Sequence, residues 1–406
     1  MDQNLQQTPK ANRIHIGFFG RCNAGKSSLV NAVTGQQMSI TSPVAGTTTD
    51  PVEKAMELLP LGPVVIVDTP GLNDTGELGA LRMQRTYQTL ERIDIAVLVL
   101  DSTVGQTEQD ILLEKQCEEK KVPCLLAWNK TDLWDHTTSM PERALPVCAK
   151  TGDGIYAFKE QLAAVYKTQT TEHPEPTIFN GMLSKDDIVI LVTPIDQSAP
   201  RGRMILPQVQ SIREILDTHA TCFVTQPEEL EHTMLALRDP PKLVVTDSQA
   251  FEIVNKIVPE EVPLTSFSIL FAHRKGVLEP SIRAVKCLDT LPEGASILIA
   301  EGCTHHRQCE DIGTVKIPKW IQQYTGKTFQ YNFTSGKTFP EDLTPYALII
   351  HCGGCMLSQK EMAVRAEHAK AAGIPFTNYG ILIAYMHGII QRSLNCPIFQ
   401  DIQIQI

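Results

Sequence analysis

Short apolar runs alternate with amphipathic stretches along the first part of the chain. Runs of this length, rich in β-branched residues, are typical of parallel strands that are buried on both faces. They lie at Arg13–Phe19, Val64–Val67, Ile95–Leu100 and Cys124–Trp128. The amphipathic pattern predicts helices at Ser27–Thr34, Leu78–Leu90 and Gln106–Lys120. This order predicts an α/β sheet whose ligand lies at the carboxyl ends of its strands.

The alternation continues through the rest of the chain. It predicts strands at Ile188–Thr193, Thr221–Thr225, Leu243–Thr246, Ile297–Ala300 and Tyr346–Ile350. It predicts helices at Pro207–Leu216, Glu228–Leu237 and Phe251–Ile257. The polar, proline-bearing segment Thr168–Pro176 predicts a linker. We therefore predict three α/β domains, over residues 1–172, 173–262 and 263–406.

The composition is that of a folded protein and argues against a nucleic-acid partner. Of its 406 residues, 42% are hydrophobic and 20% are charged, and the net charge is −10. An acidic balance disfavours broad electrostatic binding to phosphate backbones. The N-terminus carries no export-signal pattern, and no apolar run approaches the ~20 residues of a membrane span. We expect a cytoplasmic protein without a membrane partner, in which the cysteines are reduced thiols or metal ligands.

A complete phosphate-binding loop lies between the first predicted strand and the first predicted helix. Its glycines allow backbone N–H groups to close around phosphates, and the helix N-terminus adds partial positive charge. Lys26 is expected to reach the β- and γ-phosphates, and the Ser27 hydroxyl is expected to bind Mg²⁺. The predicted nucleotide-binding residues of this loop, which begins at Gly20, are Arg21, Cys22, Asn23, Ala24, Gly25, Lys26, Ser27 and Ser28.

Three later segments indicate that the nucleotide is GTP. Asp68 ends an apolar strand, which places its carboxylate near the Mg²⁺ and the Gly71 amide near the γ-phosphate. The Asp132 carboxylate can accept both N1–H and N2–H of guanine, which adenine lacks. Cys148-Ala149-Lys150 resembles the third base-contacting loop of GTPases, with cysteine where serine is usual. Together the segments resemble those of the translation-factor-like GTPases, particularly the bacterial Era and tRNA-modification branch. Their predicted nucleotide-binding residues are Asp68, Gly71, Asn129, Lys130, Asp132, Cys148, Ala149 and Lys150.

Two features suggest how GTP is hydrolysed, with Lys26, Asn23, Thr48 and Gly71 as the candidate catalytic residues. Leu72 stands where related GTPases carry a residue that orients the attacking water, so another group must contribute. In the potassium-activated branch, Asn at the position of Asn23 helps to hold K⁺ beside the phosphates. That ion supplies the charge an arginine finger supplies elsewhere. Ordinary loop capping is the alternative role of Asn23. Thr48 is our candidate for a further Mg²⁺ ligand in the first switch.

The middle segment offers no comparable chemistry. It has no phosphate loop and no cluster of catalytic residue types, and Arg201-Gly202-Arg203 is typical of a solvated turn. We expect a structural or association domain there.

Two groups of cysteines follow apolar strands in the last segment. Cys303 and His305 come after one predicted strand, and His351, Cys352 and Cys355 come after the next. Because parallel strands present their carboxyl ends to one crevice, we expect these groups to converge on a metal. Zinc and a 4Fe–4S cluster with one non-cysteine ligand both fit, and a redox pair or inert buried thiols are the alternatives. The cysteines without a metal role are Cys22, Cys117, Cys124, Cys148, Cys222, Cys287, Cys309 and Cys396.

The whole chain resembles the HydF family, the maturation GTPases of iron–iron hydrogenases. The family signature is Cys-x-His, a long gap and His-Cys-x-x-Cys. The resemblance implies a GTPase domain, a dimerisation domain and a cluster domain in which Cys303, Cys352 and Cys355 hold a 4Fe–4S cluster. His305 or His351 would be the fourth ligand or a positioning group.

The resemblance also implies a role and partners. The protein would be a scaffold and carrier that passes a di-iron subcluster precursor to apo iron–iron hydrogenase. It would act with radical-SAM maturases, as a homodimer or a larger assembly, and would use GTP, Mg²⁺ and K⁺. The alternative is an Era-like ribosome or tRNA GTPase with a zinc-stapled C-terminal domain, which the acidic net charge disfavours.

Overall fold

The computed structural model describes residues 8–35, 52–69, 86–172, 176–195, 204–302, 311–336, 338–400 and 402. The chain divides into two compact units, Met1–Glu175 and Pro176–Ile406. None of the described helices combines the length and the apolar character that crossing a membrane needs.

The first unit contains a six-stranded sheet in the order β2-β3-β1-β4-β5-β6. Its strands are β1 Ile14–Phe19, β2 Val52–Leu58, β3 Gly62–Asp68, β4 Ile95–Asp101, β5 Cys124–Asn129 and β6 Ala144–Pro146. All neighbours are parallel except β2 and β3, which are antiparallel. The helices are Lys26–Thr34, Glu108–Glu119 and Ile155–Glu172, with 3-10 turns at Lys10–Asn12 and Thr131–Leu133.

Apolar side chains cover both faces of this sheet. Along β1, Ile16 and Phe18 pack on one face with the helix Lys26–Thr34, while Phe19 points to the other. The helix Glu108–Glu119 packs on that second face, and a capping box that pairs Thr107 with Asp110 fixes its start. The predicted burial of both sheet faces is therefore observed. Because both faces are apolar, the polar residues of a site lie at the ends of the strands.

The second unit contains two four-stranded sheets, and every strand pairing in them is parallel. The first, in the order β10-β9-β7-β8, contains β7 Ile188–Val192, β8 Thr221–Thr225, β9 Leu243–Thr246 and β10 Leu264–Ser266. The second, in the order β12-β11-β13-β14, contains β11 Ser296–Glu301, β12 Gln330–Ser335, β13 Leu348–His351 and β14 Phe376–Asn378. One continuous apolar core contains residues of both sheets.

Helices surround this core. The α-helices are Leu206–Asp217, Leu230–Leu235, Phe251–Ile257, Phe267–Arg274, Leu278–Val285, Cys287–Thr290, Ile317–Thr325, Gln359–Ala371, Tyr379–Met386 and Ile390–Leu394. A π-helical turn lies at Ile312–Lys316, and 3-10 turns lie at Pro227–Glu229, Ser248–Ala250 and Pro397–Phe399. The predicted α/β fold class is confirmed, whereas the domain boundaries at residues 172 and 262 stay predictions.

The predicted linker at Thr168–Pro176 is wrong in its first half. The helix Ile155–Glu172 runs through it, because the first proline of the segment, Pro174, comes only after the helix ends. The threonine hydroxyls find partners within the helix: Thr168, for example, donates to the Ala164 carbonyl at 3.0 Å. The predicted helix Glu228–Leu237 begins instead as a 3-10 turn. Of the predicted helix Leu78–Leu90, residues 86–90 are helical and the rest lies outside the described residues.

Arg392 joins the C-terminal part of the second unit to the helix Phe251–Ile257. Its guanidinium donates to the Asn255 side chain at 2.7 Å and to the carbonyls of Asn255, Val258 and Pro259 at 3.0, 2.6 and 2.8 Å. These carbonyls lie at a helix end, where they have no partner within the helix. Arg392 thereby satisfies several acceptors near this helix end at once.

We predict that Arg392→Ala destabilises the protein by about 3 kcal/mol, since hydrogen bonds from a charged donor contribute more than neutral ones. Urea unfolding followed by circular dichroism measures this change. Arg283→Ala is the matched control, because the Arg283–Glu279 pair is exposed and its loss should cost less than about 1 kcal/mol. Equal destabilisation by the two substitutions would contradict the role given to Arg392.

Candidate nucleotide and cysteine sites

The phosphate-binding loop joins β1 to the helix Lys26–Thr34, and its backbone requires glycine where the sequence has it. Gly25 has φ 90°, and a Cβ there would lie 2.3 Å from the Asn129 side-chain nitrogen. Asn23, at φ 65°, also takes a left-handed conformation, which asparagine tolerates better than most residues. The loop is therefore folded tightly against the end of β5, as a phosphate cradle requires.

Lys26 is buried and is held by its own loop. Its ammonium donates to the carbonyls of Gly20 and Arg21 at 2.9 and 3.0 Å. Burial lowers the pKa of Lys26, and the negative charge of Asp68 acts in the opposite direction. A phosphate in the loop would offer this ammonium a stronger partner than two neutral carbonyls.

Asp68 and Ser27 lie together at the end of β3. The Ser27 hydroxyl bonds to the Asp68 carboxylate, and burial raises the pKa of Asp68. The Asp68 Oδ1 atom is buried and has no hydrogen-bond partner within the described part of the chain. A buried acceptor beside a hydroxyl suits a hydrated Mg²⁺. Of the other predicted residues here, Thr48, Gly71 and Leu72 lie outside the described residues.

Asn129 ties the phosphate loop to the third base-contacting loop. Its side-chain nitrogen donates to the Ala24 carbonyl at 2.9 Å, and its oxygen accepts from the Ala149 amide at 3.1 Å. The next residue, Lys130, pairs with Asp101 at 2.6 Å. These bonds hold the two loops together. The sequence motif located Asn129, but the motif did not reveal this structural role.

The predicted guanine acceptor Asp132 has a thiol neighbour. Asp132 is exposed, and the buried Cys148 places its Sγ 3.2 Å from the Asp132 Oδ1 atom, where the thiol can donate. Ala149 and the exposed Lys150 complete the loop. The sequence showed cysteine at a position where serine is usual, and that was the available signal for this contact. Cys148 can therefore orient the Asp132 carboxylate.

We predict that Cys148→Ala weakens GTP binding about fivefold, which is ~1 kcal/mol, because Asp132 loses its orienting donor. Cys148→Ser should bind GTP at least as tightly as the natural chain, since a hydroxyl is the stronger donor. Titration with a fluorescent GTP analogue measures both. Cys222→Ala, in the other compact unit, is the control. Equal affinities of the Ala and Ser variants would remove Cys148 from the base site.

The cysteine loop begins where β13 ends, beside the end of β11. Ala300 pairs with His351 across these parallel strands, and the Cys352 amide donates to the Ala300 carbonyl at 2.9 Å. The Cys352 Sγ accepts from the amides of Gly302 and Gly354 at 3.0 and 3.4 Å. The two strand ends therefore meet at this sulfur. Cys303 and His305 themselves lie outside the described residues, as do Cys309 and Arg201–Arg203.

Cys355 is partly buried in the same loop. Burial raises the pKa of its thiol to about 12; the charge of Cys352 adds to this rise and the ammonium of Lys275 opposes it. Gly354 has φ 63°, and a Cβ there would lie 2.5 Å from the Met362 sulfur. Glycine thus lets the chain turn between the two cysteines. No group of three metal-binding side chains exists among the described residues, which include two of the three predicted cysteine ligands.

His351 is fully buried, and both of its ring nitrogens have partners. Arg365 Nη1 lies 2.9 Å from Nε2, and the Cys352 carbonyl oxygen lies 2.7 Å from Nδ1. Arginine can only donate, so Nε2 accepts and Nδ1 carries the proton that it donates to Cys352. This arrangement favours a positioning role over a ligand role. No sequence spacing links Arg365 to His351, so the pattern missed this pair.

Three family models match successive parts of the chain. The "50S ribosome-binding GTPase" model matches residues 15–130. The "Hydrogen maturase F dimerization domain" model matches residues 178–276, and the "Hydrogen maturase F tetramerization domain" model matches residues 279–396. The last two together cover more than half of the chain.

Curated relatives match mainly through the nucleotide-binding part. GTPase Der of Nitratiruptor sp. is 25% identical over 270 residues, which are 59% of this chain and 57% of the relative. The tRNA modification GTPase MnmE of Chromobacterium violaceum is 35% identical over 155 residues, which are 37% of this chain and 34% of the relative. The chain thus spans between about a third and three fifths of these relatives.

Proposed function

The chain belongs to the hydrogen maturase F family, and from this premise we propose that it is a GTP-hydrolysing scaffold for hydrogenase maturation. It would hold a 4Fe–4S cluster and deliver the di-iron subcluster precursor, as cargo, to apo iron–iron hydrogenase. The observation that carries the proposal is the presence on one chain of a phosphate loop and of a cysteine pair that follows β13, beside the end of β11. The relatives named for tRNA modification match less than half of the chain, so we do not propose that activity.

The nucleotide site supports hydrolysis of GTP with Mg²⁺. Ser27 and Asp68 would hold the ion together with Thr48, and Lys26 and the Gly71 amide would stabilise charge on the γ-phosphate. The buried, unpaired Asp68 Oδ1 is the feature that fits a metal or one of its bound waters. Asp132, oriented by Cys148, would select guanine.

We predict that GTP is hydrolysed faster in K⁺ than in Na⁺, on the order of tenfold. A K⁺ ion beside Asn23 would supply the positive charge that an arginine finger supplies elsewhere. Phosphate release in the two salts at matched ionic strength measures the ratio. Asn23→Ala should bring the two rates together, and Asn31→Ala, in the following helix, should not. Equal rates for the unaltered chain would contradict potassium activation.

The cysteine loop supports a 4Fe–4S cluster held by Cys352 and Cys355, with Cys303 as the third ligand. The described thiols fit such a group, because sulfur that accepts main-chain N–H bonds is typical of cluster ligands. When bound, the cluster would supply one iron atom that has no cysteine ligand. The ligand of that iron could therefore exchange. His351 would position the loop through the Cys352 carbonyl, and His305 remains the candidate for the fourth ligand.

The proposal includes partners and an assembly. Apo-hydrogenase and the radical-SAM maturases would bind the protein, and the dimerization and tetramerization models support a homodimer or a larger assembly. Thiolate ligands need a reducing compartment, so we place the protein in the cytoplasm.

We predict that Cys303→Ser, Cys352→Ser and Cys355→Ser each lose most of the bound iron after anaerobic reconstitution, because serine is a poor ligand for iron–sulfur clusters. Colorimetric iron analysis and the visible spectrum measure the loss. GTP hydrolysis should remain near normal, since the phosphate loop lies in the other compact unit.

Cys222→Ser and Cys287→Ser are the matched controls, since burial raises the pKa of each thiol to about 11 and neither follows β11 or β13. Full iron content in all three ligand variants would reject the cluster. A colourless protein with one zinc per chain would support the zinc-stapled alternative.

A further inference from the structure

Lys275 is a buried cation that the proposed function has not yet used. It ends the helix Phe267–Arg274, within the residues that match the dimerization model. The side chain is 5% exposed, and its ammonium donates to the Leu357 carbonyl at 2.5 Å. Leu357 lies in the segment that matches the tetramerization model. A charged group from one part of the second unit therefore reaches the loop of the other part that carries both described cysteines.

The Lys275–Leu357 bond lies at the turn that gives the cysteine loop its shape. The Leu357 amide donates to the Gly354 carbonyl at 3.0 Å, so Leu357 closes the turn that contains Cys355. The next residue, Ser358, begins the helix Gln359–Ala371 and shares a capping box with Glu361. The capping box thus fixes the start of this helix, and the bond from Lys275 to the Leu357 carbonyl fixes the turn that precedes it.

Lys275 also brings positive charge to this loop, because its ammonium bonds to the Leu357 carbonyl, two positions after Cys355. Metal ligation requires thiolates, and a cluster with thiolate ligands brings further negative charge to this loop. Arg365, another buried cation among the described residues near this loop, bonds to His351 and the Gly336 carbonyl.

We propose that Lys275 is a positioning residue for the cluster, which holds the Cys352–Ser358 loop through the Leu357 carbonyl and offsets the negative charge of the bound cluster. This inference rests on the proposed function. The net charge near a cluster and the order of its surroundings both tune its reduction potential and its retention. Removing the charge while keeping a donor should therefore make the cluster harder to reduce and easier to lose.

The test compares Lys275→Gln, which keeps a hydrogen-bond donor, with Lys275→Met, which keeps the shape alone. Lys275→Arg keeps the charge, and Lys286→Gln is the control at an exposed lysine. The full chain is reconstituted anaerobically with iron and sulfide. Two quantities are measured: the rate of iron release to a chelator, and the midpoint potential from a redox titration followed by electron paramagnetic resonance. Thermal unfolding of each variant checks that it folds.

We expect both uncharged variants to release iron about tenfold faster than the unaltered chain and to have a more negative midpoint potential. Lys275→Arg should restore the potential, and Lys286→Gln should change neither quantity. If Lys275→Gln matches the unaltered chain, or loses iron faster with an unchanged potential, the inference is wrong. If the unaltered chain binds no iron, the proposed function fails instead, so the two failures are distinguishable.

Discussion

The parallel register of neighbouring strands is the constraint on which both candidate sites depend. Parallel strands end at the same edge of a sheet, so residues far apart in the sequence become neighbours there. In the first unit this edge gathers Gly20, Asp68 and Asn129. In the second it sets Gly302 against Cys352, close enough for a hydrogen bond to the sulfur. The apolar strands thus define the sites, because their burial on both faces fixes which ends meet.

The same constraint explains what the sequence could predict of the fold. Central strands such as Ile188–Val192 and Leu243–Thr246 were predicted at their observed bounds or within a few residues of them, because their apolar runs are continuous. The pattern found the edge strand β8, Thr221–Thr225, but missed the edge strands β2, β6, β10, β12 and β14. An edge strand is less covered by the rest of the protein, so it needs fewer apolar residues and its sequence resembles that of a loop. The linker failed for a related reason: threonine-rich polarity also suits an exposed helix end.

The sequence predicts ligand-binding positions because phosphate and metal chemistry restricts residue types at short spacings, and these positions stay predictions. Their supports were not predictable. The bonds from Cys148 to Asp132, from Arg365 to His351 and from Lys275 to Leu357 join residues separated by 16, 14 and 82 positions. No periodicity encodes such pairs, since they depend on where helices pack after the sheets form. The sequence therefore indicates which residues would touch a ligand, and the packed structure indicates what holds them.

Lys26 and Lys275 make the same kind of contact, from a buried ammonium to loop carbonyls, but would have different roles. Each is a buried ammonium bonded to carbonyls of a loop that, on our proposal, receives an anionic group. Lys26 bonds to its own loop, so phosphates would have to draw it away from Gly20 and Arg21, and their departure would return it. Lys275 bonds to a loop 82 positions away and would keep that bond when a cluster is held, since the cysteines bind the iron. The first arrangement suits a switch that changes partner in each cycle, and the second suits a scaffold that must remain in place.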